Sequence, residues 1–363
     1  MGARLDDLTT TARAADLFHV LSPSFLPVPA DWPPTLAVVV DTEEEFDWHG
    51  PFDRAATAVR NIAHQPLAQG VFDRFGIVPT YVVDYPVATS DDAVAVLAPI
   101  AADGRCEIGA HLHPWVTPPY REEVGAARNS FPGNLPPDLE RDKLAVLTGA
   151  ITGRFGARPR IYKAGRYGVG PQTMAHLAAL DYRTDVSVVP HTDFSADGGP
   201  DFSAFPARPF LTPPGILACP LSVGFVGALA SRGAGLYPAL CGRRAAAWRL
   251  GGVAARLGLL QRLRLSPEGH GLADLVALTR SALHHGQRLF MLTYHSSSLL
   301  PGGSPYVRDP DERTAFLATL AAYCDFFLRR CGGRTVSVGA LHRMLLPPPA
   351  TPRPAPAEGL SPV

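Results

Sequence analysis

The chain has 363 residues, enough for one large α/β domain with a full core or for two small ones, and its 33 Lys and Arg balance 33 Asp and Glu. That balance provides no net field toward nucleic acid, an anionic membrane or an acidic partner. The five cysteines, Cys106, Cys219, Cys241, Cys324 and Cys331, are odd in number and lack a C-x-x-C pair, which argues against a disulfide framework and a thiolate zinc site.

Residues 1–33 read as a short helix followed by a Pro-rich connector. Asp6 and Asp7 stand where an export signal would carry basic residues, so the cytoplasm is the expected address. No apolar run reaches the roughly 18 residues that span a bilayer. From 34 to 346, short β-rich runs alternate with longer helical patterns, which predicts one α/β domain, either a (β/α) barrel or a doubly wound parallel sheet. Strands are expected at LAVVVDTE from Leu36, VPTYVVD from Val78, CEIGAHLH from Cys106, RIYKAG from Arg160, YRTDVSVV from Tyr182, ILACPLSV from Ile216, RLFMLTYHS from Arg288 and TVSVG from Thr335. Helices are expected over 54–75, 139–155, 171–180, 271–286 and 311–330, with Pro171 as a first-turn proline. The segment 190–269 is too long for an ordinary connection and reads as an inserted lid or packing subdomain, with an Ala/Leu/Arg helical pattern over 243–265. Residues 347–363 form a Pro/Ala tail that can neither pair strands nor pack.

In parallel α/β folds, function gathers at the C-terminal strand edges, where loops converge over a rigid scaffold. Polar residues fall there repeatedly in this chain: Asp41 and Glu43, His111 and His113, Lys163 to Tyr167, Asp185, and His295. Asp41 and Glu43 share one face of an extended segment, so one can bind metal while the other takes a proton. Glu44 and Glu45 continue the acidic run and read as a solvated loop. His111 and His113 also share a face, and two imidazoles beside a carboxylate suit a first-row divalent ion with open positions. His295 ends an apolar strand and suits a general acid. Arg166, among glycines, could hold Asp41 ionised through a two-pronged hydrogen bond, with Lys163 as the competing cation.

Taken in order, these motifs resemble the polysaccharide deacetylases, the NodB-homology family of carbohydrate esterases, and in particular its divergent WalW-like members. The resemblance implies an irregular (β/α)7-type barrel with an inserted helical and loop region. VVVDTEEEFDW resembles the family's T-F-D-D-G motif, which implies Asp41 as catalytic base and Glu43 as metal ligand. EIGAHLHPW departs from the family's H-x-x-x-H: it aligns His111 with the first histidine and puts Trp115 where the second is expected, leaving His113 to take that role. YKAGRYG is similar to the turn that positions the base, with Arg166 as the substitute and Lys163 at the usual Arg site, and LTYHSSS implies His295 as general acid. The resemblance further implies a divalent metal, usually zinc, and a saccharide or glycoconjugate as substrate, with a backbone N–H near Tyr167 holding the oxyanion; Trp115, Tyr167, Asp185 and Glu268 are the expected substrate contacts. Trp48, Trp115 and Tyr167 are candidates for stacking on a sugar ring.

Three functions follow. The first is metal-dependent hydrolysis of an N-acyl bond on a saccharide. The second is a degenerate deacetylase barrel that binds glycan or protein without turnover, motivated by the altered histidine spacing. The third is a metal-free glycoside hydrolase working through paired carboxylates such as Glu43 and Glu268.

Overall fold

The structure is a computed structural model that describes residues 17–123, 125–241 and 250–346. The tail expected at 347–363 and the start of the N-terminal helical pattern lie outside the described residues. Twelve strands are found among these residues: β1 (Ser24–Phe25), β2 (Thr35–Thr42), β3 (Thr80–Val83), β4 (Glu107–Leu112), β5 (Ile161–Ala164), β6 (Thr184–Asp185), β7 (Phe210–Leu211), β8 (Leu217–Ala218), β9 (Val223–Val226), β10 (Gln261–Arg264), β11 (Leu289–His295) and β12 (Arg334–Thr335).

Ten of them form one curled sheet in the order β1-β7-β8-β6-β5-β4-β3-β2-β11, with β12 beside β2. The run from β11 to β8 is parallel, and only β7 and β1 turn antiparallel at the end. Strand β2 is central and buried along its whole length, which is why TLAVVVDT reads as a continuous apolar run without alternation. Irregular segments then link β11 to the other end of the sheet. Leu221 N–H donates to Val188 at 2.9 Å, Leu265 N–H to Ser222 at 2.8 Å, and Thr293 N–H to Leu265 at 3.1 Å. The fold is therefore the irregular α/β barrel expected, and the doubly wound alternative is excluded.

Several elements differ from expectation. The strand expected from Tyr182 pairs in the ladder only at Thr184–Asp185. ILACPLSV splits at Pro220, which has no N–H for a ladder, into β8 and the start of β9. TVSVG yields two strand residues; Ser337 then caps a helix over Val338–Leu345 by accepting from Ala340 N–H at 3.2 Å. The expected 243–265 helix is a helix over Leu250–Arg256 followed by β10, which pairs antiparallel with β9; residues 243–249 lie outside the description. Pro171 precedes its helix, which runs Thr173–Ala179. The helices over Tyr85–Thr89 and Asp91–Ala102, capped by the side chains of Asp84 and Ser90, and the one over Gly233–Cys241 are likewise unanticipated. Among the described residues, no helix is long and apolar enough to cross a membrane.

Candidate metal centre and active site

The parallel registry sets the site. Asp41 on β2 lies opposite His295 on β11, and His111 on β4 lies opposite Lys163 on β5, so four strand ends deliver their polar tips to one edge of the sheet. All of these side chains are buried or nearly so, and a buried polar group needs partners.

The partners fix the histidine tautomers. His111 Nδ1 lies 2.9 Å from the Lys163 carbonyl, an acceptor only, so Nδ1 carries the proton and Nε2 keeps its lone pair. His113 Nδ1 lies 2.7 Å from Glu44 Oε2, so that nitrogen is engaged by the carboxyl and Nε2 is the one turned toward Glu43. Both free Nε2 atoms face Glu43 Oε2, at 3.3 Å for His111 and 3.5 Å for His113. Three atoms of the kinds that ligate metal converge, and the buried Glu43 Oε1 has no hydrogen-bond partner. Ligands held about 2.0–2.1 Å from a tetrahedral ion lie roughly 3.3–3.4 Å apart, so the spacing fits such an ion. Burial, then the neighbouring His111, push the His113 imidazole down to about 4, so it is neutral, as a ligand must be.

Glu44 corrects the expectation of a solvated loop: it is fully buried, accepting from His113 Nδ1 and, at 2.7 Å, from the Trp115 indole N–H. Its backbone N–H donates to Asp84 at 2.8 Å. Burial, with the neighbouring Glu43, raises Glu44 to about 8, and burial with Glu44 raises Asp84 well above the usual range, so the pair retains a proton at neutral pH. Glu45 instead pairs with the exposed Arg60 at 2.6 Å. Trp115, expected on substrate, is buried and stacks on the His113 ring at 4.2 Å, so it braces that imidazole from behind. Gly165 makes room on another side, since a Cβ there would come 2.6 Å from His113 Cδ2.

The second pole joins Asp41 and His295. Lys163, not Arg166, is the cation on Asp41: its Nζ reaches Oδ1 and Oδ2 at 2.6 and 2.7 Å. Burial alone would raise the Asp41 carboxyl, but Lys163, with His295 and His111, outweighs it and holds the group at about 2. Arg166 points elsewhere, donating to Ser130 Oγ at 2.7 Å with its guanidinium over the Phe131 and Phe52 rings. His295 Nε2 lies 3.4 Å from Asp41 Oδ2, and its Nδ1 lies 2.8 Å from Glu268 Oε2. Glu268 also accepts from His295 N–H and from Ser298 Oγ, so it orients the imidazole and does not face substrate. Burial opposes charge on His295, yet Glu268, Glu43 and Asp41 together raise it well above its ordinary value.

Asp185 is also withdrawn from the cleft. It is fully buried, accepts from Ser187 N–H and Oγ, and through Ser187 Oγ supports the Ala164 N–H of β5. Tyr167 remains at the mouth, its hydroxyl accepting from Arg264 at 2.8 Å, and its φ of 61° follows that of 51° at Arg166. Trp48 stands edge-on to His295 with ring centroids 5.0 Å apart, and its indole N–H donates to Gly303 at 3.2 Å. Sequence reasoning missed Lys163 as the chosen cation and Glu44, Asp84 and Glu268 as supports. Lys163 carried a signal, an amine inside an apolar strand run, whereas Glu268 was picked out as a substrate-facing carboxylate, and its contact with His295 across 27 residues left no local pattern.

No protein-family model matches the chain, and no curated protein matches it. Solved structures do. A protein assigned as a polysaccharide deacetylase from Mycobacterium smegmatis superposes with a TM-score of 0.51 at 16% identity, covering 94% of this chain and 100% of its own. The fold is shared with that protein. The allantoinase PuuE superposes with a TM-score of 0.50 at 15% identity, covering 87% of this chain and 93% of its own. The polysaccharide-deacetylase fold thus extends to this chain at identities where likeness concerns architecture alone.

Proposed function

We propose that the protein is a metal-dependent hydrolase that removes an N-acyl group, foremost acetyl, from a saccharide or glycoconjugate, as a divergent WalW-like polysaccharide deacetylase would. The observation that carries this reading is the convergence of Glu43 Oε2, His111 Nε2 and His113 Nε2 beside a carboxylate and an imidazole on the opposite pole. Glu43, His111 and His113 would hold the ion, with zinc as the proposed metal. Once bound, the ion would polarise the acyl carbonyl and favour ionisation of the attacking water.

The chain's own groups then divide the proton work. Asp41, held anionic by Lys163, accepts the proton of the water whose oxygen attacks the acyl carbon. His295, kept cationic by Glu268, donates from Nε2 to the departing nitrogen as the C–N bond breaks, releasing a carboxylic acid and a free amine. The Tyr167 backbone N–H, on its positive-φ turn, is the proposed oxyanion donor. Tyr167 and Trp48 are the aromatic groups proposed to meet the sugar.

A glycosidase working through Glu43 and Glu268 is disfavoured, because Glu43 faces the two imidazoles and Glu268 is committed to His295. One observation favours a second reading within C–N hydrolysis. Asp41, Glu43, His111 and His113 are each no more than 2% exposed, which suits a short glycoconjugate or a small amide, of the kind the allantoinase's name denotes, over a long polymer. The test is metal analysis of the purified protein, followed by turnover of N-acetylated oligosaccharides and small cyclic amides. Near-stoichiometric metal, lost together with turnover in His111→Ala, supports the proposal. Activity that survives complete chelation, or metal-free protein that binds glycan without hydrolysing it, would overturn it.

A further inference from the structure

The chain-wide charge balance conceals a local asymmetry. Between residues 202 and 267 there are eight arginines and no Lys, Asp or Glu. That stretch contains the β9–β10 ribbon with helices over Gly233–Cys241 and Leu250–Arg256, which pack against each other and against the ribbon. Leu236, Leu250, Val253, Leu257 and Leu259 are exposed on it, Leu257 to 67%, and so are Arg232 and Arg256. A monomer that leaves such aliphatic side chains in water, on a segment without one carboxylate, has a surface suited to an anionic and apolar partner.

We propose that this subdomain docks on an anionic lipid bilayer, the leucines entering the acyl boundary while the arginines meet phosphate headgroups. A second copy of the chain fits less well, because a two-fold contact would set arginine against arginine with no acidic residue of the segment to answer it. Nucleic acid would use the arginines but has no place for exposed aliphatic side chains, since single strands are gripped by aromatic stacking. The ribbon connects this surface to the site, for Arg264 at the end of β10 donates to Tyr167 at the mouth.

The experiment is co-sedimentation of the full chain with vesicles of phosphatidylcholine alone and with vesicles of equal parts phosphatidylcholine and phosphatidylglycerol. Binding is expected only to the mixed vesicles and should weaken as salt rises. Arg232→Ser and Arg256→Ser should each lower the partition coefficient about five-fold. Val253→Asp with Leu257→Asp should abolish it; these side chains are exposed, and an unchanged melting temperature checks the fold. Equal binding to both vesicle types, no binding at low salt, or partition indifferent to the aspartates would overturn the proposal. So would a dimer that the aspartates dissociate, or tight binding to a DNA oligonucleotide that they leave intact. None of these readouts depends on turnover, so the docking surface and the proposed hydrolase stand or fall separately.

Discussion

Glu268 illustrates how a residue committed to a histidine can govern the proposed chemistry. It pairs with His295 at 2.8 Å and is the foremost of the groups that keep the imidazole charged despite burial. A general acid works only below its own pKa, so activity falls as pH rises through that value. Glu268→Gln removes the carboxylate's charge but keeps its shape, lowering the His295 pKa. The alkaline limb of the kcat/KM profile should therefore move to lower pH, and a pH–rate profile of the variant checks this. An unmoved limb would release His295 from the acid role. At this scale the sequence was legible where chemistry sits at strand ends: Asp41, Glu43, His111, His113 and His295 were singled out, and the structure brings all five to one edge. It was not legible where two side chains compete for one partner. Lys163 and Arg166 were both in reach on paper, and only the backbone's turn into positive φ at Arg166 sends the guanidinium toward Ser130. Glu44 was misjudged because an acidic run reads as solvated, whereas its burial is enforced by His113 and Trp115, 69 and 71 positions away just past the end of β4.

Elements were read best where burial is complete on both faces. The apolar runs of β2, β3, β4, β5 and β11 are strands, while the short pieces after β5 depend on tertiary contacts that no local pattern records. Ser222 belongs to that second group. Its Oγ accepts the buried Met291 N–H at 2.8 Å, and its carbonyl accepts from Leu265, so it joins β11 to the irregular end of the sheet. Ser222→Ala leaves the Met291 N–H without that acceptor, and the expected cost is about 1–3 kcal/mol, measurable by chemical denaturation. The helix over Pro137–Phe155 carries a pH dependence of its own. Glu140 is buried against Thr173, and burial lifts its carboxyl to about 7. In the unfolded chain the group ionises near its ordinary value while the folded chain keeps its proton, so stability falls as pH rises from about 4.5 to about 7. Glu140→Gln should flatten that slope in melting temperature across the same window. A slope that persists in the variant would place the titration elsewhere.

For the molecule as a whole, an ion held as proposed by Glu43, His111 and His113, at the ends of β2 and β4, would also clamp the barrel. Ligand binding to the folded state alone stabilises by about 2.7 kcal/mol at a concentration 100 times the dissociation constant. Zinc should accordingly raise the melting temperature of the wild type and leave that of His113→Ala almost unmoved, as read by calorimetry with and without chelator. An equal rise in both would locate the binding outside Glu43, His111 and His113. The inserted segment after β6 follows a different logic from the barrel. It was legible as an insertion from its length, but its strands pair within it or at the sheet's edge, so the helical pattern of Leu250–Arg256 could not announce the turn into β10.

Lys163 serves both poles at once, its ammonium on Asp41 and its carbonyl on His111 Nδ1. Only the first of these duties is encoded by the side chain; the second belongs to the main chain and is inherited by whatever residue replaces it. Position 163 is thus a place where evolution, or an experimenter, can unsettle Asp41, the proposed proton acceptor, while sparing the proposed ligand His111, separating sequestration of a cation from its use.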